Sequence, residues 1–301
     1  MIIKYLKHTE INKSKWDECV LTSSNSLIFA YSFYLDIMAP NWNAIVINDY
    51  EFVLPLPIKK KWGFKYFYIP PFTPQLGLFG ENPSLNIDKV LLLLKSEVRY
   101  GDIFFNYANK ISLNLVKQRI NFILPLKDKY ESIFGYYSAD LKRILRKQVK
   151  NKIQYSMQNN IEYTVKLYRK YYAYRTPHLS DNDYKKFIAM CKLLHTKNKC
   201  FTRSMCACDG SILCSIICLV DGKRIYTIMN PSTALGRKKE AATFLFDELI
   251  KEFSGTDKVL DFVGSDLPGV NFLLAKYCPI DEPVFFYHYN HLPYPIRYFK
   301  K

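Results

Sequence analysis

The sequence predicts an α/β protein built as two tandem domains, each a mixed central sheet flanked by helices. Three observations predict it. One order of strands and helices occurs twice along the 301 residues. Apolar runs of strand length alternate with segments of helical period. Asp-Gly pairs, at Asp209-Gly210 and Asp221-Gly222, separate consecutive strand-like runs, which is the strongest short hairpin signal.

In the second half, "NKIQYSM" reads as a strand at 153–157, followed by helical segments at 162–173 and 181–194. Ser180 is a ready N-cap for the latter. Three strands follow, "CFTRSMCAC", "SILCSIICLV" and "RIYTIMN", then a helix at 238–253, a strand "KVLDFV", a helix at 268–277 and a strand "PVFFYHY". The first half repeats the plan. "IIKYLK" is a strand, 13–21 and 31–38 are helical, and "WNAIVIN", "EFVLPLPIK" and "FKYFYIP" are strands. "NIDKVLLLLKSEV" reads as a helix, "DIFFNYA" as a strand, "KISLNLVKQ" as a helix and "INFILPL" as a strand. The expected division is a first domain over 1–128, a basic helical connector over 129–152 and a second domain over 153–301.

Hydrophobic residues make up 49% and charged residues 23%, the balance of a folded chain with an ample core, so disorder is excluded. "MIIKYLK" lacks the apolar stretch of a secretory leader, and "KVLLLLKSEV" is far short of a bilayer span of about 20 residues. The expectation is a cytoplasmic protein with thiols rather than disulfides. Cys200, Cys206, Cys208, Cys214 and Cys218 have no paired C-x-x-C spacing and no interleaved histidine, so no metal is expected. They are expected as buried strand cysteines. The net charge of +16 points to an anionic partner, or to a composition that favours Lys, Asn, Ile, Tyr and Phe together.

Three segments carry a family resemblance. "SADLKRILRKQVKNKIQYS" is a serine-started basic helix leading into a strand, "IMNPSTALGRKKEAATFLFDELI" joins a fourth strand to a helix, and "LDFVGSDLPGVNFLLAKYCP" joins a fifth strand to another. Together they resemble the GNAT acyltransferase fold, in the tandem form of the Fem aminoacyltransferases and their FemAB-like relatives. The resemblance implies two GNAT-like domains that arose by duplication. It also implies transfer of an acyl or aminoacyl group to an amine, from an acyl-CoA or an aminoacyl-tRNA. In that fold the carbonyl is polarised by a backbone N–H where the fourth strand parts from the fifth, here near Met229 and Asn230. The donor's pyrophosphate sits at the start of the following helix, here Gly236, Arg237, Lys238 and Lys239, where helix N–H groups and basic side chains favour an anion. Lys238 stands where the acetyl-CoA pattern has Gly or Ala, and Thr233 where it has Arg or Gln. Asp261, Asp266 and Tyr277 are the proton-transfer candidates, and Arg175 and His178 the substrate contacts.

Arg143, Arg146, Lys147 and Lys150 share one helical face, a candidate nucleic-acid surface if the donor is a tRNA. "PIKKKWGFKYFYIPPF" mixes Lys59, Lys60, Lys61 and Lys65 with aromatics, as single-stranded nucleic-acid surfaces do, but its alternation favours a hairpin with lysines at its tip. The alternative to an enzyme is a catalytically silent double module that binds a polymer, nucleic acid or protein. A bulky residue at Gly236 is expected to abolish donor binding in the enzyme and to be tolerated in the module.

Overall fold

The computed structural model describes residues 2–81, 87–109, 111–112, 116–146 and 152–299. It divides into two compact units, Met1–Arg119 with Pro283–Lys301, and Ile120–Glu282. Strands are numbered along the chain.

The first unit has two sheets, one following the other along the strand order; the first runs β1 (Ile3–Leu6), β2 (Asn43–Ile47) and β3 (Phe52–Leu56), all antiparallel. The short β6 (Phe79–Gly80) pairs with β3. Pro57 then interrupts the third strand, because proline cannot donate to the ladder, and the path resumes as β4 (Ile58–Lys61). β4 opens the second sheet, which continues through β5 (Phe64–Phe67), β7 (Tyr100–Phe105), β16 (Val284–Asn290) and β8 (Val116–Arg119). β5 and β7 are parallel, and β16 is antiparallel to both β7 and β8. The helix Asp88–Glu97 buries Val90, Leu91 and Leu94 against this sheet's core.

The second unit repeats that order as β10 (Gln154–Ser156), β11 (Cys200–Cys206), β12 (Ile212–Val220), β13 (Arg224–Met229), β14 (Val259–Phe262), β9 (Phe122–Pro125) and β15 (Ile280–Asp281). Again the fourth and fifth strands, β13 and β14, are the parallel pair. The central β12 is almost continuously apolar because both its faces are buried. Ser138 caps the helix Ala139–Leu145. Ser180 caps Asp181–Thr196 through a capping box with Asp183, as its sequence position leads one to expect.

In each sheet the strand between the fifth and the sixth comes from the other half of the sequence. β9 pairs with β14 in the second unit, and β16 pairs with β7 in the first. The division expected at 128 and 153 therefore differs from the observed units at both ends. "INFILPL" and "PVFFYHY" are strands, but period-2 alternation encodes a buried face and not a partner strand. One helix is a correction: within "KISLNLVKQ", Val116–Arg119 is a strand, drawn into the ladder by Val284–Tyr287 of β16. Residues 110 and 113–115 lie outside the described residues.

The cysteine expectation holds in part. Cys200, Cys214 and Cys218 are buried, Cys206 is half-buried, and Cys208 is exposed in the turn after β11 with its Sγ 3.0 Å from the Lys152 carbonyl. The turn's bulge at Met205/Cys206 ends the strand before Cys208. Timed iodoacetamide labelling of the native protein should modify Cys208 and the exposed Cys278 first, and Cys191, Cys214 and Cys218 only on unfolding. Simultaneous labelling of the five clustered thiols would contradict the fold.

Candidate functional site

The second unit has a parting in its sheet. β13 and β14 are paired only over Arg224–Tyr226 and Val259–Asp261. Beyond that, β13 follows its other neighbour: Cys218 faces Thr227 and Ile217 faces Met229, so Ile228 is an extra residue that bulges the strand. The chain stays on β12 past the bulge. Ser215 donates to the Pro231 carbonyl at 3.0 Å, and Thr233 donates to the Leu213 carbonyl at 2.9 Å. Met229 is buried and Asn230 half-buried at this end.

The continuous helix expected from Lys238 is instead two helices. A short one, Ala234–Lys238, ends at Lys239, and Glu240 adopts a left-handed φ of 56° before the longer helix Ala241–Phe253. Thr233 caps the short helix, its hydroxyl accepting from the Gly236 N–H at 2.9 Å. Gly236 is buried, and a Cβ there would overlap the Leu213 carbonyl. The longer helix has no side-chain cap, so its first N–H groups are left to other partners. Arg237 donates to the Ser232 carbonyl at 2.7 Å and sits 5.4 Å from the Tyr171 ring centroid. Lys238 is exposed and Lys239 half-buried.

Tyr171 joins two groups of candidates. Its neighbour Tyr172 carries the Arg175 guanidinium at 5.1 Å, and Arg175 also donates to the Tyr174 hydroxyl at 2.9 Å. Arg175 and Arg237 thus lie on the rings of adjacent residues, while His178 is exposed further along the same loop. Tyr171 was not foreseen, since one tyrosine among 24 carries no signal of its own.

The proton-transfer candidates separate by exposure. Asp261 is fully buried in an ion-pair network with Arg224 at 3.0 Å, and Arg224 makes a two-pronged contact with Glu282 at 2.7 Å on each arm. One guanidinium thus faces two carboxylates. Burial raises Asp261 to about 6; Arg224 opposes the shift, and the Glu282 charge adds to it. Burial alone would lower Arg224, but the Glu282 hydrogen bonds and the Asp261 charge outweigh it and raise the guanidinium. Tyr277 is also fully buried. Its hydroxyl donates to the Thr243 carbonyl at 2.7 Å, and its ring packs among Tyr137, Phe246 and Phe262. Asp266 is the candidate of the three that solvent reaches. Beside it, buried Ser265 donates to the Phe262 carbonyl and accepts from the Phe122 N–H at 3.1 Å, fixing the turn after β14.

A buried carboxylate that sequence reasoning missed lies on the longer helix. Asp247 accepts from the Tyr130 hydroxyl at 3.0 Å on both oxygens, and burial raises it to about 6. The signal was an acid on the apolar stripe between Phe244 and Ile250. A carboxyl raised in the folded state stabilises fully below its unfolded value of 3.8, and that contribution is lost as pH rises through about 6. Asp247→Asn keeps an acceptor for Tyr130 and removes the titration. Wild type should lose up to about 3 kcal/mol from this group between pH 4 and 7, and the variant should show a shallower decline in melting temperature over that range. Asp261 titrates in the same window, so part of the slope should remain. An unchanged slope would contradict the assignment.

The basic connector face is only partly described. Arg143 pairs with Asp140 at 2.7 Å and Arg146 is exposed, whereas Lys147 and Lys150 lie outside the described residues. Among the described residues no group of three or more His, Cys, Asp or Glu could hold a metal ion, and no helix is long and apolar enough to cross a membrane.

No protein-family profile and no curated protein sequence matches the chain. Its backbone is similar to that of FemX, with a TM-score of 0.64 at 13% identity over 96% of this chain and 98% of the other. It is also similar to a tandem GNAT protein from the clavulanic acid biosynthesis pathway, with a TM-score of 0.52 at 9% identity over 97% and 99% of the chains. The fold is that of the tandem GNAT proteins. Saccharomyces cerevisiae N-myristoyltransferase with bound myristoyl-CoA shares it, with a TM-score of 0.51 at 11% identity over 97% of this chain and 84% of the other. Counted along the sheet of the second unit, the fourth and fifth strands are β13 and β14, and the helix after the fourth begins at Ala234.

Proposed function

We propose that the chain is an N-acyltransferase whose second unit holds the donor. The observation that carries this reading is the parting of the parallel pair β13 and β14 at the Ile228 bulge, with a glycine-containing basic turn directly after it. A backbone N–H at Met229 or Asn230 would polarise the acyl carbonyl, and one such fixed donor aimed at developing charge is worth about 10²–10³ in rate. Lys238 and Lys239 would take the donor's pyrophosphate together with backbone N–H groups at the start of the helix Ala241–Phe253, which has no side-chain cap. Arg237 would shape the turn through Ser232, with Tyr171 and Arg175 beside the acceptor. The proton acceptor is assigned to Asp266, because Asp261 and Tyr277 are sealed from solvent.

The donor is an acyl-CoA or an aminoacyl-tRNA. Support for the first comes from the CoA ester bound in the structurally similar N-myristoyltransferase, and for the second from the resemblance to the Fem aminoacyltransferases. Thermal melting with acetyl-CoA, longer acyl-CoA esters and aminoacylated tRNA should give a rise with one class. Filter binding at graded salt separates the two, because contact with many phosphates makes affinity fall steeply with salt. A second reading is a silent double module, favoured by the Thr233 hydroxyl already occupying the Gly236 N–H. In that case no donor should raise the melting temperature.

A further inference from the structure

The hairpin β4–β5 in the first unit ends in a two-residue turn, Trp62-Gly63, between Lys61 and Phe64. Both turn residues are left-handed, with φ of 49° and 81°. Such a turn suits Asn-Gly, and a bulky L-residue in its first position is strained. Trp62 is moreover 71% exposed, while Trp16 and Trp42 are completely buried. The fold therefore holds its one exposed tryptophan at a loop tip in an unfavourable backbone conformation, a combination that marks function more often than packing.

The surroundings point to the partner. Lys60 lies directly across the ladder from Lys65, a like-charge pairing that costs stability unless an anion is present. Lys65 has Glu97 at 3.6 Å, but Lys59, Lys60 and Lys61 form no ion pair among the described residues. Behind the tip is an apolar pit of about 140 Å³, lined by Phe64, Tyr66, Leu292 and Ile296 with Lys61 at its edge. The same C-terminal segment presents Tyr294 and Tyr298, which are 83% and 70% exposed. Tryptophan and tyrosine settle at the headgroup level of a bilayer, and lysines with long apolar stems reach anionic headgroups from beside them. A single-stranded nucleic acid fits less well. The Lys61 ammonium covers the Trp62 ring at 4.9 Å, and Tyr294 meets Tyr298 edge to face rather than as an open stacking platform.

We propose that this hairpin tip and the C-terminal tyrosines dock the first unit on an anionic lipid bilayer. Trp16 and Trp42 are buried, so a change of tryptophan emission on binding that is lost in Trp62→Ala reports Trp62. The full chain is titrated with vesicles of phosphatidylglycerol mixed with phosphatidylcholine, with vesicles of phosphatidylcholine alone, and with single-stranded RNA. Expected are a blue shift, quenching by brominated lipid, and co-sedimentation with the anionic vesicles, all reduced by salt and absent with phosphatidylcholine alone. Trp62→Ala and Lys60→Glu should each weaken co-sedimentation about tenfold. Neither touches the core, so melting temperatures no lower than wild type serve as the folding control, with Lys60→Glu free to rise as its pairing with Lys65 becomes attractive. No sedimentation, or sedimentation unaffected by both substitutions, overturns the proposal. So does a Trp62 response to RNA without one to vesicles.

Discussion

Arg224→Met should be among the most destabilising single substitutions in the second unit, by about 3 kcal/mol, because it leaves the buried Asp261 and the half-buried Glu282 without their cation. Arg224 is the first residue of the fourth strand, Asp261 lies on the fifth, and Glu282 directly follows the sixth. The guanidinium therefore ties together the strands that lie below the parting of the sheet. The two acids are not equivalent. Glu282 makes the two-pronged contact with the guanidinium, whereas Asp261, raised to about 6, can take up a proton at modest cost. Equilibrium urea unfolding should therefore rank the losses Arg224→Met, then Glu282→Gln, then Asp261→Asn. A loss below about 1 kcal/mol for Arg224→Met, the range of an exposed ion pair, would show that the network is not formed.

Gly236→Val should cost about 3 kcal/mol or more, since the new side chain would be driven into the backbone carbonyl of Leu213 on the central strand β12. A flexible side chain could move aside, but a backbone carbonyl that accepts from both the N–H and the hydroxyl of Thr233 cannot. Leu235→Ala is the control: Leu235 is 48% exposed one residue earlier, and its loss should stay within about 0.5 kcal/mol. This revises the expectation that a bulky residue at Gly236 distinguishes an enzyme from a silent module. The substitution damages the fold in both cases, and the discrimination passes to the exposed Lys238. Melting temperatures of the two variants check the expectation, and equal values would contradict the close packing at Gly236.

Much of the architecture was legible because its signals are local. Period-2 runs, Asp-Gly turns and the Ser180 cap each name an element through chemistry within a few residues. The exchange of β9 and β16 was not legible, because the apolar faces of "INFILPL" and "PVFFYHY" suit either sheet. Val116–Arg119 was misread for a related reason: a strand of four residues gains its conformation from the ladder that receives it. In the site, Gly236 stood out as a glycine after a proline turn, but the reason for it, the Leu213 carbonyl, is distant in sequence. Thr233 begins the helix as an ordinary N-cap, which is a local signal that matching to a family pattern obscured. Asp261 and Tyr277 were reasonable candidates by position. Their burial follows from the packing of β14 and of the helix Ala241–Phe253, which no single residue type announces.

The central claim is that the basic turn after β13 receives the donor's phosphates. Calorimetric titration of the donor that stabilises wild type, into wild type and into Lys238→Glu/Lys239→Glu, tests it most directly. These side chains are exposed or half-buried, so the double variant should melt like wild type. The account expects donor affinity to fall by about a hundredfold, on the order of two charge-assisted phosphate contacts at roughly 1.5 kcal/mol each. Unchanged affinity in the double variant, with its fold intact, would contradict it.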